Sequence, residues 1–390
     1  MNLAMALSAH SAPSQQQRPK LRLDSLTGLR RWAAFGVFAY HFLNIGEFTG
    51  SHLAVMGYSG VAFFFVLSGF VLTWSARPTT TVRQFWMRRF ARIWPAHFVA
   101  LLLAIPVFYP LHPNPDHFWE KAFAWGPLLV SAVLLHGFSH NALYLFGGNP
   151  ASWTLSCEAF FYAIHPAIHR GFQKLRTYAL PLLIAVCVAL GYFTRFYWEA
   201  PVPLARTWEF FLGIIAALLL KRGVRFRVPM VVMYIGLAAL GLFYWALKRA
   251  GYFPDVAALL NPYWSLIQPL VFMAAIMVAA TADIEGRRSL MRHPIMVRGG
   301  EWSYCFYLVH ATILYAFRAA YVESVGIVGF ILLLLASLAG AAALYYLVER
   351  PCERRLRAWG DRRFGRPPSG TPTPTRAASL TDPNPQAPQN

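Results

Sequence analysis

Charged side chains are scarce in this chain of 390 residues, since Asp, Glu, Lys and Arg together make up only 13% of it. A soluble protein of ordinary composition carries about 25%. Hydrophobic residues instead account for 57%, and they are grouped in blocks of about 20 residues, the length that crosses a bilayer as a helix. The composition therefore excludes an ordinary soluble fold and indicates a helical membrane protein.

Cysteine is also scarce. The chain has four cysteines, and no two of them form a C-x-x-C pair. Neither a disulfide framework nor a zinc site is predicted, and we expect no bound metal. A sustained apolar core is likewise missing from residues 1–20, so no cleavable signal peptide is predicted.

The apolar blocks predict an all-α, polytopic membrane bundle of about ten transmembrane helices. The stretch 122–138 is apolar but shorter, and we expect it to be re-entrant or interfacial. The predicted spans are 32–48, 57–76, 93–111, 151–169, 178–196, 203–220, 228–247, 262–281, 302–321 and 325–348.

With these spans, 28 of the 35 Lys and Arg residues fall on one side of the membrane. This asymmetry follows the positive-inside rule and predicts that both termini are cytoplasmic. The expected location is the inner (plasma) membrane. The net charge of +19 is accordingly a signal of topology, and no nucleic acid partner is predicted.

One membrane domain is predicted over residues 23–360. Residues 1–22 form a polar tail, and residues 361–390 contain a low-complexity run of Pro and Thr. Such compositions bury too little apolar surface to fold. We expect both tails to be disordered and cytoplasmic.

His41 is an ionisable residue within the first predicted span. It follows Arg30, where the chain enters the bilayer, by roughly 16 Å of helix, and the hydrocarbon core is about 30 Å thick. An ionisable group near the midplane is costly and indicates a functional role. The alternative is a neutral imidazole that hydrogen-bonds a neighbouring helix.

Glu158 enters the fourth span from the opposite side. It lies five residues after Trp153, roughly 8 Å below the outer boundary, at a depth similar to that of His41. A carboxylate and an imidazole at one depth can form an orienter–base pair, so His41 and Glu158 are the predicted catalytic residues. Alternatively, Glu158 is protonated or bonded to a helix-packing partner.

The ninth span carries Tyr307 and His310, which at a spacing of three share one helix face. We predict that both line a cavity beside His41, together with Ser303 and with Tyr162, which follows Glu158 by one turn. A structural hydrogen bond from His310 to a neighbouring helix explains its position equally well.

A basic cluster precedes the third span and includes Arg89 and Arg92, which would project together. Guanidinium groups suit phosphate recognition because they donate in pairs and stay charged. The alternatives are a plain positive-inside signal or contact with anionic lipids.

Two further features favour structural roles. The small residues Ser68 and Gly69 predict close helix packing. At the end of the last span, Glu349 is expected to pair with a local arginine, and Pro351 is expected to end the helix.

These features occur in a characteristic order, and from about residue 23 to residue 351 the chain resembles the acyltransferase-3 family of integral membrane acyltransferases. The matching motifs are Leu23-Asp24-Ser-Leu-Thr-Gly28-Leu-Arg30 followed by His41, Phe63-Phe-Phe-Val-Leu-Ser68-Gly69-Phe70, Arg89-x-x-Arg92-Ile-x-Pro95, Trp153-x-Leu-Ser-x-Glu158-x-x-Phe-Tyr162, Ser303-Tyr304-x-x-Tyr307-x-x-His310 and Glu349-x-Pro351.

The resemblance implies an enzyme that transfers an acyl group, usually acetyl, from cytoplasmic acyl-CoA to a hydroxyl. Acceptors in the family are typically carbohydrates of extracytoplasmic glycans, although some relatives acylate secondary metabolites such as macrolides. The resemblance marks His41 as the catalytic residue and links Arg89 and Arg92 to acyl-CoA binding. Some members carry an appended hydrolase domain. Here a predicted tail follows instead, so a second transfer step would need a separate extracytoplasmic partner.

Residues and resemblance together suggest that acyl-CoA binds with its phosphates near Arg30, Arg89 and Arg92. His41 would act as general base or as transient acyl carrier, with Glu158 orienting it. Both routes need a neutral imidazole, so activity should fall below about pH 6.

Two assignments stay open at this point. Tyr162, Tyr307 or His310 could hydrogen-bond the developing oxyanion. The competing class of function is a proton-coupled transporter, in which His41, Glu158 and His310 would form a proton relay.

Overall fold

The computed structural model describes residues 22–46, 57–249, 254–321 and 326–365. Within these ranges the chain is helical and contains no strand, which confirms the predicted all-α fold. The helices are α1 (Asp24–Gly46), α2 (Gly60–Ser75), α3 (Val82–Phe108), α4 (Trp125–Ala132), α5 (Ala142–Leu145), α6 (Trp153–Lys174), α7 (Ala179–Phe196), α8 (Val202–Ala205), α9 (Thr207–Lys221), α10 (Met230–Arg249), α11 (Pro254–Leu260), α12 (Trp264–Ile284), α13 (Pro294–Ala320), α14 (Ile327–Leu344) and α15 (Arg350–Phe364).

Seven helical segments in the described part of the chain are long and apolar enough to cross a membrane. They contain α2, α3, α7, α9, α10, α12 and α14. The other three predicted spans are also helical, as α1, α6 and α13, but none of them contains a stretch as long and apolar as those seven segments do. Four of the predicted site residues lie on these three helices: Arg30, His41, Glu158 and His310. The helices that are less apolar than a typical membrane span therefore carry much of the predicted site.

The apolar stretch 122–138 contains no helix long enough to span a bilayer. Its helix α4 has 8 residues and is about 12 Å long. A 3₁₀ turn at His136–Phe138 follows it. The segment is therefore too short for an eleventh span, in agreement with the sequence interpretation.

Contacts between helix ends bring the arginine-rich segments to one end of the bundle. Ser25 Oγ at the start of α1 donates to Asp283 Oδ1 at the end of α12, at 2.7 Å. Arg227 before α10 bonds Glu285 after α12, at 2.8 Å, and this hydrogen bond lowers the pKa of the Glu285 carboxyl. We call this the basic end; it comprises residues 22–31, 77–92, 170–176, 221–227, 287–298 and 350–363.

The centre of the bundle is held by close packing of α2 on α9. A Cβ atom added to Gly69 would overlap the carbonyl oxygen of Phe210, and one added to Gly213 would overlap that of Val66. Only glycine lets the two backbones approach this closely. The predicted packing role of Gly69 is confirmed, and Ser68 turns out to have a different environment, described below.

The last helix continues through Pro351, so the predicted end of the helix at this residue is wrong. A π turn at Tyr345–Glu349 precedes the proline, and α15 runs on to Phe364, past the predicted domain boundary at 360. The wider turn displaces the carbonyl that a proline ring would otherwise contact. Apart from Arg22 and residues 361–365, the predicted tails 1–22 and 361–390 lie outside the described residues.

Candidate active site

A cavity of about 150 Å³ lies between α1, α2, α3, α6 and α13. Seven of the nine site residues predicted from the sequence line this central cavity, although they come from four helices far apart in the chain. They are Arg30, Arg89, Arg92, Glu158, Tyr162, Ser303 and Tyr307.

The arginines reach the cavity because α3 begins well before the predicted span. Thr81 caps the helix by accepting a hydrogen bond from the backbone N–H of Gln84, at 3.1 Å. Arg89 and Arg92 therefore lie on the helix itself, three residues apart and on one face. The sequence interpretation placed them correctly together but started the helix at residue 93.

Arg30 and Arg89 face the cavity without an ion pair in the part of the chain that the structure describes. The Arg89 guanidinium lies 5.9 Å from the ring centroids of both Phe85 and Tyr162, and its Nε is buried without a hydrogen-bond partner. Two guanidinium groups that retain free donors suit an anionic or strongly polar ligand.

Arg92 differs from its neighbour because its charge is compensated. It forms ion pairs with Glu349 and, at 3.1 Å, with Glu353. Glu349 is 1% exposed and also accepts a hydrogen bond from Cys305 Sγ at 2.8 Å. Glu349 thus pairs with an arginine, as predicted, but with one from α3 rather than a local one. The pair joins α3 to the π turn between α14 and α15.

Glu158 is bound by residues of the cavity and makes no described contact with His41. It accepts a hydrogen bond from Ser68 Oγ at 3.3 Å and is also hydrogen-bonded to Tyr162. The structure therefore does not bring the predicted orienter–base pair together. Depth estimates gave Glu158 and His41 similar heights, but height does not determine which way each side chain faces. Ser68, assigned to packing from the sequence, belongs to the site.

His41 instead contacts His310. His310 Nε2 lies 3.0 Å from His41 Nδ1, and the ring centroids are 5.0 Å apart. His310 is completely buried. Neither histidine lines the central cavity, so the predicted lining role of His310 does not hold in this structure. The His310 ring packs 5.7 Å from that of Tyr307, a cavity residue, and the histidine pair therefore adjoins the cavity.

The hydrogen bonds indicate which nitrogen of each neutral ring carries the proton. His310 Nδ1 lies 2.8 Å from the carbonyl oxygen of Tyr307. A carbonyl only accepts, so Nδ1 donates and Nε2 of His310 is an acceptor. His41 Nδ1, which faces that acceptor and also the Val37 carbonyl at 3.1 Å, must then hold its proton. His41 Nε2 is left with a lone pair, as a general base requires.

The hydroxyl groups of Ser303 and Tyr307 are occupied. Tyr307 donates to the carbonyl of Ala151 at 2.8 Å and accepts from Thr154 at 3.0 Å. Ser303 donates to the carbonyl of Gly300 at 2.8 Å. Because its proton is committed, Tyr307 has none to donate to an oxyanion, and that predicted role is not supported by the geometry.

A protein-family model, described as an acyltransferase domain, matches residues 23–346. The chain belongs to the acyltransferase-3 family. It is therefore an O-acyltransferase and a multi-pass membrane protein, and the transporter interpretation is set aside. No solved structure is significantly similar to this acyltransferase.

Relatives of this acyltransferase carry consistent names. It is 33% identical over 376 residues to acyltransferase MdmB of Streptomyces mycarofaciens, a match that covers 86% of the chain and 93% of the relative. It is 32% identical over 183 residues to the peptidoglycan O-acetyltransferase OatA of Listeria monocytogenes, covering 43% of the chain and 27% of the relative. A Staphylococcus aureus O-acetyltransferase OatA is 29% identical over 185 residues, covering 43% and 29%.

Proposed function

We propose that this acyltransferase moves an acetyl group from acyl-CoA to a hydroxyl of a carbohydrate or glycan, in the plasma membrane and with its basic end in the cytoplasm. The observation that carries the proposal is one cavity that holds the unpaired guanidinium groups of Arg30 and Arg89 and adjoins the His41–His310 pair.

Donor binding would use the central cavity. Arg30 and Arg89 offer charged donors on its wall, while Phe64 and Val61 supply apolar surface. This mixture suits a thioester arm, which is apolar in its carbon chain and polar at its amides and phosphates. Arg92 would contribute mainly through the ion pairs that fix α3.

In the reaction, His41 Nε2 removes the proton from the acceptor hydroxyl, and the resulting oxygen attacks the thioester carbonyl. The tetrahedral intermediate then expels the CoA thiolate, which takes the proton from the His41 imidazolium. In the covalent route, His41 Nε2 attacks the thioester carbonyl and CoA leaves as the thiolate. The acceptor hydroxyl then attacks the acyl-imidazole, which frees Nε2, and the proton of the hydroxyl goes to the CoA thiolate. His310 holds the required tautomer in both routes.

Glu158 serves the donor rather than the base in this proposal. It interacts electrostatically with Arg30 and Arg89, and Ser68 holds it in place. A carboxylate that attracts both guanidinium groups helps to position them on the cavity wall while the donor is absent. Glu158 is therefore a positioning residue whose loss should change donor affinity.

The names of the relatives support a glycan acceptor, because one is a peptidoglycan O-acetyltransferase. The test is acetyl-CoA consumption by the purified protein in liposomes, with an envelope-glycan fraction or a small-metabolite fraction as acceptor. We expect consumption only with the glycan fraction and only with intact His41. His140→Ala, at an exposed histidine outside the cavity, is the matched control and should stay active.

Consumption with the metabolite fraction alone would replace the glycan by a small hydroxylated metabolite. Failure to bind or consume acetyl-CoA under any condition would overturn the proposed donor.

A further inference from the structure

A second cavity, of about 520 Å³, opens at the basic end between α2, α3 and α6. We call it the outer cavity. Its wall contains four arginines and two histidines, and no Asp or Glu of the described residues lines it. These six residues are Arg77, Arg88, Arg89, His165, His169 and Arg170.

Most of this positive charge is uncompensated. Arg88 is paired with Asp361 at 2.7 Å, but Arg77 and Arg170 are exposed and make no ion pair in the described ranges. A cavity in which several guanidinium groups converge without acids is suited to an anion that carries more than one negative charge.

One wall of the outer cavity is aromatic. The rings of Phe85 and His165 are stacked at 5.3 Å, and those of His165 and His169 at 5.2 Å, with interplanar angles of 19° and 9°. Thr73 holds His165 Nε2 at 3.1 Å. His169 ends the stack, and its Nε2 is buried without a hydrogen-bond partner. A planar base could extend such a stack and satisfy that nitrogen.

The outer and central cavities meet at Arg89 and Leu72, which line both. On α6, His169 lines the outer cavity and Thr154 the central one. Fifteen residues of helix separate them, about 22 Å. The two cavities together are therefore suited to an elongated ligand with a charged, planar end at the basic end of the bundle.

We propose that the outer cavity binds the phosphorylated nucleotide end of the acyl-CoA donor, with Arg77 and Arg170 contacting its phosphates and the aromatic wall contacting its base. The inference rests on the proposed donor, and it adds a subsite that the arginine motif at Arg89 and Arg92 does not include. The thioester then lies in the central cavity, beside Tyr307 and the histidine pair.

The test is calorimetric binding to the protein in nanodiscs of zwitterionic lipid, with three probes: CoA, 3′-dephospho-CoA and pantetheine. Changing Arg77→Gln and Arg170→Gln together should weaken CoA binding roughly tenfold or more, since hydrogen bonds to charged groups are lost. It should leave pantetheine binding unchanged. The matched control changes Arg83→Gln and Arg176→Gln, two exposed arginines of the basic end that do not line the cavity. We expect it to bind CoA within twofold of wild type.

Several outcomes would overturn the inference. Unchanged CoA affinity in the Arg77/Arg170 variant, or an equal loss in the control, would show that the cavity is not a specific subsite. If the same arginines are needed only to bind nanodiscs or vesicles containing phosphatidylglycerol, the cavity binds a lipid phosphate instead. If wild type binds none of the three probes, the proposed donor itself fails. Wild-type binding that is insensitive to the variants rejects only the subsite.

Discussion

His310 Nε2 lies 3.0 Å from His41 Nδ1, and this contact determines how His41 can act. The Tyr307 carbonyl holds the proton of His310 on Nδ1, so Nε2 accepts the proton that His41 carries on Nδ1. His41 Nε2 is thereby left as the unprotonated nitrogen. In many enzymes a carboxylate accepts the proton of a histidine base and so orients it. Here the buried neutral imidazole of His310 takes the part of the carboxylate.

Replacing His310 should reduce turnover without weakening donor binding. His310→Leu removes the acceptor for His41 Nδ1, and we expect kcat to fall at least fivefold, the equivalent of about 1 kcal/mol for one hydrogen bond. His310→Gln keeps an acceptor oxygen near the position of Nε2 and should retain more activity than His310→Leu. Steady-state kinetics with acetyl-CoA measure both effects, and the KM for acetyl-CoA should stay constant.

The reactivity of His41 separates positioning from a general loss of structure. Diethylpyrocarbonate modifies the unprotonated nitrogen, and mass spectrometry reports its rate at His41. The rate should fall in His310→Leu but not in Glu158→Gln, because Glu158 makes no described contact with His41. If the modification rate of His41 fell in Glu158→Gln but not in His310→Leu, Glu158 rather than His310 would be the residue that orients His41.

Arg89 and Arg92 should respond differently to the same substitution. Arg89→Met removes an unpaired guanidinium from the cavity, so the KM for acetyl-CoA should rise roughly tenfold with little change in Tm. Arg92→Met leaves the buried Glu349 without its ion-pair partner, while Glu353 keeps only Arg357, and the change should cost about 2–3 kcal/mol of stability. Kinetics and thermal unfolding in detergent measure the two effects.

The double variant Arg92→Met with Glu349→Leu is the control for the ion pair. Removing both charges should recover part of the stability lost in Arg92→Met. Equal KM increases and unchanged Tm values in the two single variants would show that Arg92, like Arg89, binds the donor.

Membrane orientation predicts which positions can be labelled from outside. With the native cysteines replaced by serine, Pro115→Cys and Ala200→Cys should react with an impermeant maleimide on intact cells. Arg176→Cys and Arg225→Cys, both in the basic end, should react only after the membrane is opened. Labelling of either basic-end position on intact cells would reverse the orientation, and with it the cytoplasmic entry of the donor.

The packing of α2 on α9 predicts a sharp difference between two glycines. Gly69→Ala places a Cβ against the Phe210 carbonyl and should destabilise the protein by about 1–3 kcal/mol. Gly236→Ala, on α10 with open space around it, should be neutral or stabilising, since alanine favours helix. Equal Tm values for the two variants would contradict the close approach of α2 and α9.

The sequence predicts the helices well because apolar blocks and flanking arginines are strong local signals. It also predicts most of the residues that line the central cavity. The motif spacings place Arg89 with Arg92, and Glu158 with Tyr162, on shared helix faces. Those predictions depend only on helical periodicity, which can be read from the sequence of one helix alone.

Contacts between distant helices were beyond reach of the same reasoning. The depth of His41 in the membrane could be estimated, but the choice of His310 rather than Glu158 as its partner depends on how α1 and α13 face each other. The pairing of Arg92 with Glu349 likewise depends on how distant helices pack. The continuation of the helix through Pro351 depends on a π turn that the local sequence does not predict.

The most direct test of the central claim measures acetyl-CoA binding and acetyl transfer on one reconstituted preparation of the His41→Ala variant. If His41 is the base or acyl carrier, the variant should bind acetyl-CoA as wild type does, and transfer should be slower by about 10² to 10⁴. Transfer at the wild-type rate, or loss of acetyl-CoA binding together with transfer, would contradict the assignment.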